Sequence, residues 1–444
     1  MSIARLPPGP KVNALNGLLL ATRLRNPLEF LTSVTREYGD IVYFKVGSRR
    51  IFVLNHPDYI KNALTRDYKN FSKRDGTRPG KHFLGRGLIV SDGDYHRAQR
   101  KLIQPAFHHQ QIALYAATIV EHGLRYRERW RNGQVIDIER ETGNLTLGII
   151  SKLLFGIETE AAAEEIRRSI LTIFSRFRPF GIPFAKLFGL LPKTGRVEQA
   201  EALFDEIIYG FIKQRHNDVE NKGDILSLLM NTENDENSRM SDVQVRDEAL
   251  TIFLTGQETV SNALTWTWYL LSLHPEVEAK LYDEIDTVIG GRAPALSDVA
   301  QLSYTEMVFA ESMRLFPPAW ALARFVLKEY QVGGYTLPAG SIVIMSPYVM
   351  HRDSRYFPDP CRFDPERWKP EAKAARPAYS YFPFGGGAKS CIGEGMARME
   401  GILLIATIAQ RWRMQLVRDH PIKLEPVVTL RTKHGIMMKA LRRE

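Results

Sequence analysis

Residues 384–393 read Phe-Gly-Gly-Gly-Ala-Lys-Ser-Cys-Ile-Gly, and no other stretch constrains the chain as tightly. Cys391 ends this glycine-rich loop just before a helical pattern expected from about Glu394 to Arg411. Three consecutive glycines suit a backbone that bends tightly and approaches something flat and bulky, where a β-carbon would clash. A thiolate at a helix N-terminus is stabilised by the local positive potential, and Lys389 adds positive charge two residues earlier. A buried free cysteine is the ordinary alternative for a lone thiol. A phosphate-binding loop is disfavoured because Ala388 stands where that motif needs glycine before lysine. Zinc is disfavoured because the only other cysteine is Cys361 and no close Cys or His set surrounds Cys391.

The loop resembles the haem-binding loop of the cytochrome P450 superfamily, with an aromatic residue, spaced glycines, a basic residue, the cysteine and a final glycine in that order. The resemblance implies that Cys391 is the axial thiolate of a haem iron. It also places Phe384, Gly385 and Lys389 against haem b (iron protoporphyrin IX). Three further segments carry the resemblance along nearly the whole chain.

In 92–107, His96 and Arg100 stand four apart on one helical face. A basic surface helix would look the same. The segment is similar to the superfamily's Trp-x-x-x-Arg helix, with histidine in place of tryptophan, which implies that His96 and Arg100 meet a haem propionate. In a long helix expected over about 242–272, Glu258 and Thr259 interrupt an apolar stretch, Phe-Leu-Thr-Gly-Gln-Glu-Thr-Val. Buried acid and hydroxyl groups cost free energy unless hydrogen-bonded. A threonine can bond back to the carbonyl one turn earlier, which is a structural reason for one of them. The stretch resembles the superfamily's oxygen-activating motif, which implies that Thr259 and Glu258 are catalytic; Thr255 and Val260 depart from the usual residues. Glu311 and Arg314 stand one turn apart and, with Arg367, resemble the superfamily's buried ionic lock, a structural role. Arg324 matches a propionate-binding arginine, and residues 429–435 look like the family's last substrate-lining turn.

Composition decides the class. The chain has 444 residues with neither a flexible linker nor a repeat, and one domain over 1–444 is expected. The resemblance implies a mainly α fold with small β-sheets (α+β), the haem lying between the long central helix and the helix after the cysteine loop. Two cysteines fit a reducing compartment rather than a disulfide framework. No run approaches the ~20 apolar residues of a membrane span, so a cytoplasmic protein is expected, touching membranes at most peripherally. The net charge of +10 asks for an acidic partner; no nucleic-acid module is present, since the Lys and Arg are spread along the chain.

Coarse signals place the remaining elements. Residues 6–10, Leu-Pro-Pro-Gly-Pro, read as a stiff lead-in. Asn26-Pro27 caps a helix ending near Gly39, and 41–46 with 50–54 read as a hairpin around Gly47-Ser48. Helices are expected over 117–130, 141–155, 161–177 and 196–217, and by resemblance the apolar, proline-broken stretch 178–192 is a lid over the substrate channel. The activity implied is hydroxylation of a lipophilic substrate, a fatty acid or terpenoid, by dioxygen. Electrons would come from a ferredoxin or flavodoxin with its NAD(P)H reductase, docking on a basic face near Lys389. The rivals are a haem-thiolate peroxygenase or isomerase and, further off, a haem carrier or gas sensor.

Overall fold

The computed structural model describes residues 6–10, 26–73, 83–159, 162–174, 195–217, 223–233 and 239–443. The helices that build the body are α1 (Pro27–Tyr38), α2 (Pro57–Leu64), α3 (Gly93–Ile103), α4 (His109–Arg127), α5 (Ile138–Phe155), α6 (Ala163–Phe174), α7 (Gly195–Asn217), α8 (Asp242–Leu273), α9 (Pro275–Ile289), α10 (Ser303–Leu315) and α11 (Glu394–Ala409). The strands are few and short, so the expectation of a mainly helical protein with small sheets holds.

The helix starts follow local chemistry. Asn26 caps α1 by accepting from the Glu29 backbone N–H at 3.4 Å, Pro27 sits at the first helical position, and Gly39 ends the helix at φ 94°. Ser241 and Gln244 form a reciprocal capping box at the start of α8. From there α8 runs to Leu273, one residue beyond the sequence expectation, and is buried on nearly every side. Helix α11 is apolar all round and packs against α4, α8 and α10, as a helix without a polar face must. Helix α4 begins at His109, well before the expected 117, because the polar run His-Gln-Gln hides its first turn.

The largest apolar core lies among these helices, from Leu88 and Ile103 through Trp266 and Trp268 to Leu403. Two smaller cores line a mixed sheet ordered β1 (Ile41–Val46), β2 (Arg49–Leu54), β8 (Ile342–Met345), β5 (Leu322–Val326) and β3 (Phe71–Ser72). The smaller sheets are β4 (Gln134–Asp137) with β12 (Met437–Arg442) and β9 (Trp412–Leu416), β6 (Tyr330–Val332) with β7 (Tyr335–Leu337), and β10 (Leu424–Pro426) with β11 (Leu430–Thr432). The expected hairpin is present, with Val46 opposite Arg49, and β2 runs parallel to β8 with Ile51 opposite Ile342. Residues 6–10 are more than a lead-in. The Tyr43 N–H donates to the Pro8 carbonyl at 3.0 Å, and a β-carbon on Gly9 would stand 1.8 Å from the Tyr43 oxygen. The expected lid at 178–192 lies outside the described residues.

Candidate functional site

The cysteine loop is closed by its own backbone. The Cys391 N–H donates to the Phe384 carbonyl at 2.9 Å and the Ser390 N–H to that of Gly387 at 3.0 Å. Gly385 and Gly387 take φ of 72° and 66°. A β-carbon on Gly387 would sit 2.0 Å from the Leu64 oxygen, and one on Gly386 2.4 Å from the Tyr379 ring. Two of the three glycines are thus required by protein neighbours, α2 and Tyr379, rather than by a flat ligand.

Cys391 is exposed at its surface, yet protein surrounds it closely enough that desolvation pushes its thiol up. Both observations hold for a sulfur that opens onto an internal cleft. The Gly393 N–H and Arg100 act in the opposite direction. Lys389 does not help the thiolate as expected. Its ammonium turns to Asp92, with which it forms a short ion pair, and to the Phe71 carbonyl at 3.2 Å. Its side chain is 8% exposed, so it offers nothing to a docking protein.

The three expected propionate ligands do converge, and Lys389 lies with them. Arg100 donates to the Ser390 carbonyl at 2.7 Å, which ties α3 to the residue before the cysteine. His96 is buried beside Lys73, Lys389 and Arg100, and burial followed by these cations lowers it to about 4, so it stays neutral. Arg324, on β5, is half-buried; its one hydrogen bond among the described residues goes to the Ala323 carbonyl. Asp92, the cap of α3, is the single carboxylate among these charges in the described residues and is lowered to about 2. Two members were missed from sequence: Asp92, and Lys73, whose ammonium donates to the Leu88 carbonyl at 3.3 Å and which burial and three cations lower to about 7. Among the described residues the cluster carries Lys73, Arg100, Arg324 and Lys389 against one carboxylate. Such an excess of half-buried positive charge calls for an anion.

Across the body, α8 is buried from Val245 to Trp268 except at its centre, where Thr255, Gly256 and Thr259 are half-buried between buried neighbours. Thr259 donates to the Thr255 carbonyl at 2.8 Å and Thr255 to that of Thr251 at 2.7 Å, the back-bonding that intrahelical threonines favour. Glu258 points elsewhere. Its Oε1 accepts from Thr429 Oγ1 at 3.0 Å and Asn262 Nδ2 at 3.4 Å, and burial raises its carboxyl. Thr429 begins the 429–435 turn, which therefore packs on α8 next to the catalytic candidates. Strand β11 (Leu430–Thr432) continues that turn and places Thr432 on Glu139, a half-buried carboxyl that desolvation raises to about 7.

The ionic lock forms on α10. Arg314 makes a bidentate pair with Glu311 at 2.7 and 2.8 Å, and donates to the carbonyls of His351, Pro360 and Arg362. Glu311 also accepts from Trp368 Nε1 and lies 3.5 Å from Arg367 Nε. Both members of the pair are fully buried.

A thiol open to a cleft, a helix unsealed at two threonines and a cationic cluster short of anions fit one group, a flat iron ligand carrying carboxylates. Cys391 would ligate the iron, while Arg100, Arg324 and Lys73 would meet the carboxylates. The comparisons agree. The cytochrome P450 family profile matches residues 7–440. Cyclooctatin synthase of Streptomyces melanosporofaciens is 37% identical over 95% of this chain and 92% of its own. Cyclooctat-9-en-7-ol 5-monooxygenase of the same organism is 35% identical over 88% and 86%. Pentalenene oxygenase of Streptomyces avermitilis is 31% identical over 92% and 91%. A cyanobacterial protein solved with retinoic acid bound superposes with a TM-score of 0.87 over the whole of both chains, at 23% identity. The haem domain of a cytochrome P450 mutant gives the same score over 99% of this chain and 98% of its own. The chain belongs to the cytochrome P450 family, a haem-dependent monooxygenase with the fold of that family.

Proposed function

We propose that this monooxygenase hydroxylates a polycyclic terpenoid, with electrons from a separate ferredoxin or flavodoxin and its NAD(P)H reductase. The observation that carries the reading is the half-buried centre of α8: two hydroxyl-bearing positions, Thr255 and Thr259, open onto the cleft from a stretch, Val245 to Trp268, that is buried apart from them and Gly256. Three relatives named for terpenoid oxidation support the substrate class.

Haem held by a cysteine thiolate supplies dioxygen activation, electron density from the sulfur favouring O–O cleavage. The chain contributes position and protons. The Gly393 N–H and Arg100 stabilise the Cys391 sulfur in its anionic form. Because the Thr259 hydroxyl hydrogen is taken by the Thr255 carbonyl, the lone pairs of Oγ1 are left to accept a bond from a proton donor in the cleft. Glu258 is suited to store a proton: burial raises its carboxyl, and with Oε1 accepting two bonds Oε2 is the oxygen left to carry it. Asn262 and Thr429 hold that carboxyl at the helix, within one residue of Thr259. Apolar neighbours such as Ile252 and Phe253 keep bulk water from competing for the proton.

Turnover of a polycyclic diterpene with NADPH, ferredoxin, ferredoxin reductase and isotope-labelled dioxygen tests the reading. One labelled oxygen per product is expected. Thr259→Ala should lower product per NADPH at least about tenfold, the lower range of general acid–base contributions. Equal product from peroxide alone, without electrons, would favour the peroxygenase reading instead.

A further inference from the structure

The N-terminal third of α8 holds a second polar group that the proton chemistry does not use. Arg246, Asp247 and Glu248 clasp residues 83–88 by their backbone: Arg246 Nη1 donates to the Phe83 carbonyl at 2.7 Å, the Arg86 N–H to Asp247 Oδ2 at 2.7 Å and the Leu88 N–H to Glu248 Oε2 at 2.8 Å. The other carboxyl oxygen, Glu248 Oε1, is buried with no hydrogen-bond partner among the described residues, and so is Thr251 Oγ1 one turn on. Glu248 is 1% exposed and Thr251 5%. Two orphaned polar atoms at adjacent turns cost about 1–3 kcal/mol each unless something satisfies them.

Their place on the helix says what that is. Glu248 and Thr259 are about three turns apart and within about 20° of the same face, and Ile252 and Thr255 lie on the stripe between them. At 1.5 Å per residue, Glu248 stands about 10 Å from Thr255 along the axis. The stripe is thus polar at one end, apolar at Ile252 and open to the reactive cleft at the other.

We propose that Glu248 and Thr251 anchor a hydroxyl group already present on the substrate, so that the chain oxidises a terpenoid alcohol at a carbon remote from that hydroxyl. The inference rests on the terpenoid monooxygenase reading and narrows it. An alcohol matches the pair because it donates to one oxygen and accepts from the other. Burial, the largest influence on Glu248, raises its carboxyl to about 8, so at neutral pH it holds a proton and can take either part. A carboxylate at the same place would gain one hydrogen bond and lose its hydration. The substrate must then be supplied by an earlier reaction that installs the hydroxyl on a cyclised hydrocarbon, either water capture during cyclisation or a prior hydroxylation.

The test titrates the haem-loaded protein with a tricyclic diterpene and with the corresponding secondary alcohol, reading the ligand-induced shift of the Soret band. Wild type should bind the alcohol at least about tenfold more tightly, as a buried site built for a hydroxyl rejects the analogue that lacks it. Glu248→Gln, whose amide both donates and accepts, should keep most of the preference, and Glu248→Leu should abolish it. Thr251→Val leaves the Leu88 contact intact and should lower the preference several-fold, which decides the matter if Glu248→Leu does not fold. Hydrocarbon and alcohol binding equally in wild type, or an undiminished preference in Thr251→Val and Glu248→Leu, would overturn the anchor while leaving the terpenoid reading standing. Binding of neither ligand would overturn both.

Discussion

Two charge clusters, both drawn from residues that precede Cys391 in the sequence, are built from similar residues and behave in opposite ways. Around Glu311 and Arg314 all five guanidinium N–H groups are taken, two by the carboxylate and three by backbone carbonyls. Around Asp92 four cations meet one carboxylate among the described residues, and the hydrogen bond of Arg324 there goes to a backbone carbonyl rather than to an acid. A charge network complete within the protein is architecture; a network that is cationic beyond its own acids is prepared for an anion from outside. Haem propionates would supply it.

The largest effect should come from breaking the complete network. Arg314→Met leaves Glu311 buried without its bidentate partner and should cost about 3–5 kcal/mol, a large share of a typical domain's stability. Urea unfolding should show this loss with and without haem alike. A loss seen only in the haem-loaded protein would erase the distinction between the clusters.

The next effect is a pH slope in the incomplete cluster. Burial and cationic neighbours depress His96 from its ordinary 6.5 to about 4, so between these values the unfolded chain binds a proton that the folded chain refuses. Stability therefore rises with pH from about 4 to 6.5, by at most about 3 kcal/mol. In haem-free protein His96→Gln should flatten that part of the urea-midpoint profile. An unchanged slope would remove His96 from the cluster's electrostatics.

Arg324→Ala should act on the cofactor alone. Loss of one charge-assisted bond to a carboxylate, about 1.5–3 kcal/mol, should speed haem transfer to an apoprotein acceptor about tenfold or more, with no loss of haem-free stability. Destabilised haem-free protein would show that the arginine is structural instead. At the bottom of the scale stand Arg49 and Arg50, exposed at the tip of the first hairpin. Replacing both with alanine should move stability and terpenoid binding by less than about 0.5 kcal/mol, as measured by thermal unfolding and Soret titration.

The complete network was legible in the sequence and much of the incomplete one was not, for a physical reason. Glu311 and Arg314 are one turn apart on a helix, so their pairing is local, and the long α8 announces itself through an apolar run with a capping box at its start. Asp92 reads locally as a helix cap, and nothing near it shows that Lys389, 297 residues away, will pair with the same carboxylate oxygen that caps the helix. Lys73 sits past a short strand in a polar stretch where lysine is unremarked. The same long-range pairing explains why Lys389 was assigned to the thiolate and to partner docking: its position beside Cys391 is visible in sequence, whereas the direction of its side chain is set by Asp92. Glu258 and Thr259 were legible as a pair, but adjacent helical residues point about 100° apart, which is why one faces Thr429 and the other the cleft.

The central claim is that the open cluster and Cys391 together hold a thiolate-ligated haem. Its most direct test is the carbon monoxide difference spectrum of the reduced protein, recorded for wild type, Cys391→Ala and Arg324→Ala. The account predicts a strongly red-shifted Soret band in wild type, the same band at lower haem occupancy in Arg324→Ala, and its disappearance in Cys391→Ala. A red-shifted band that survives in Cys391→Ala would contradict it.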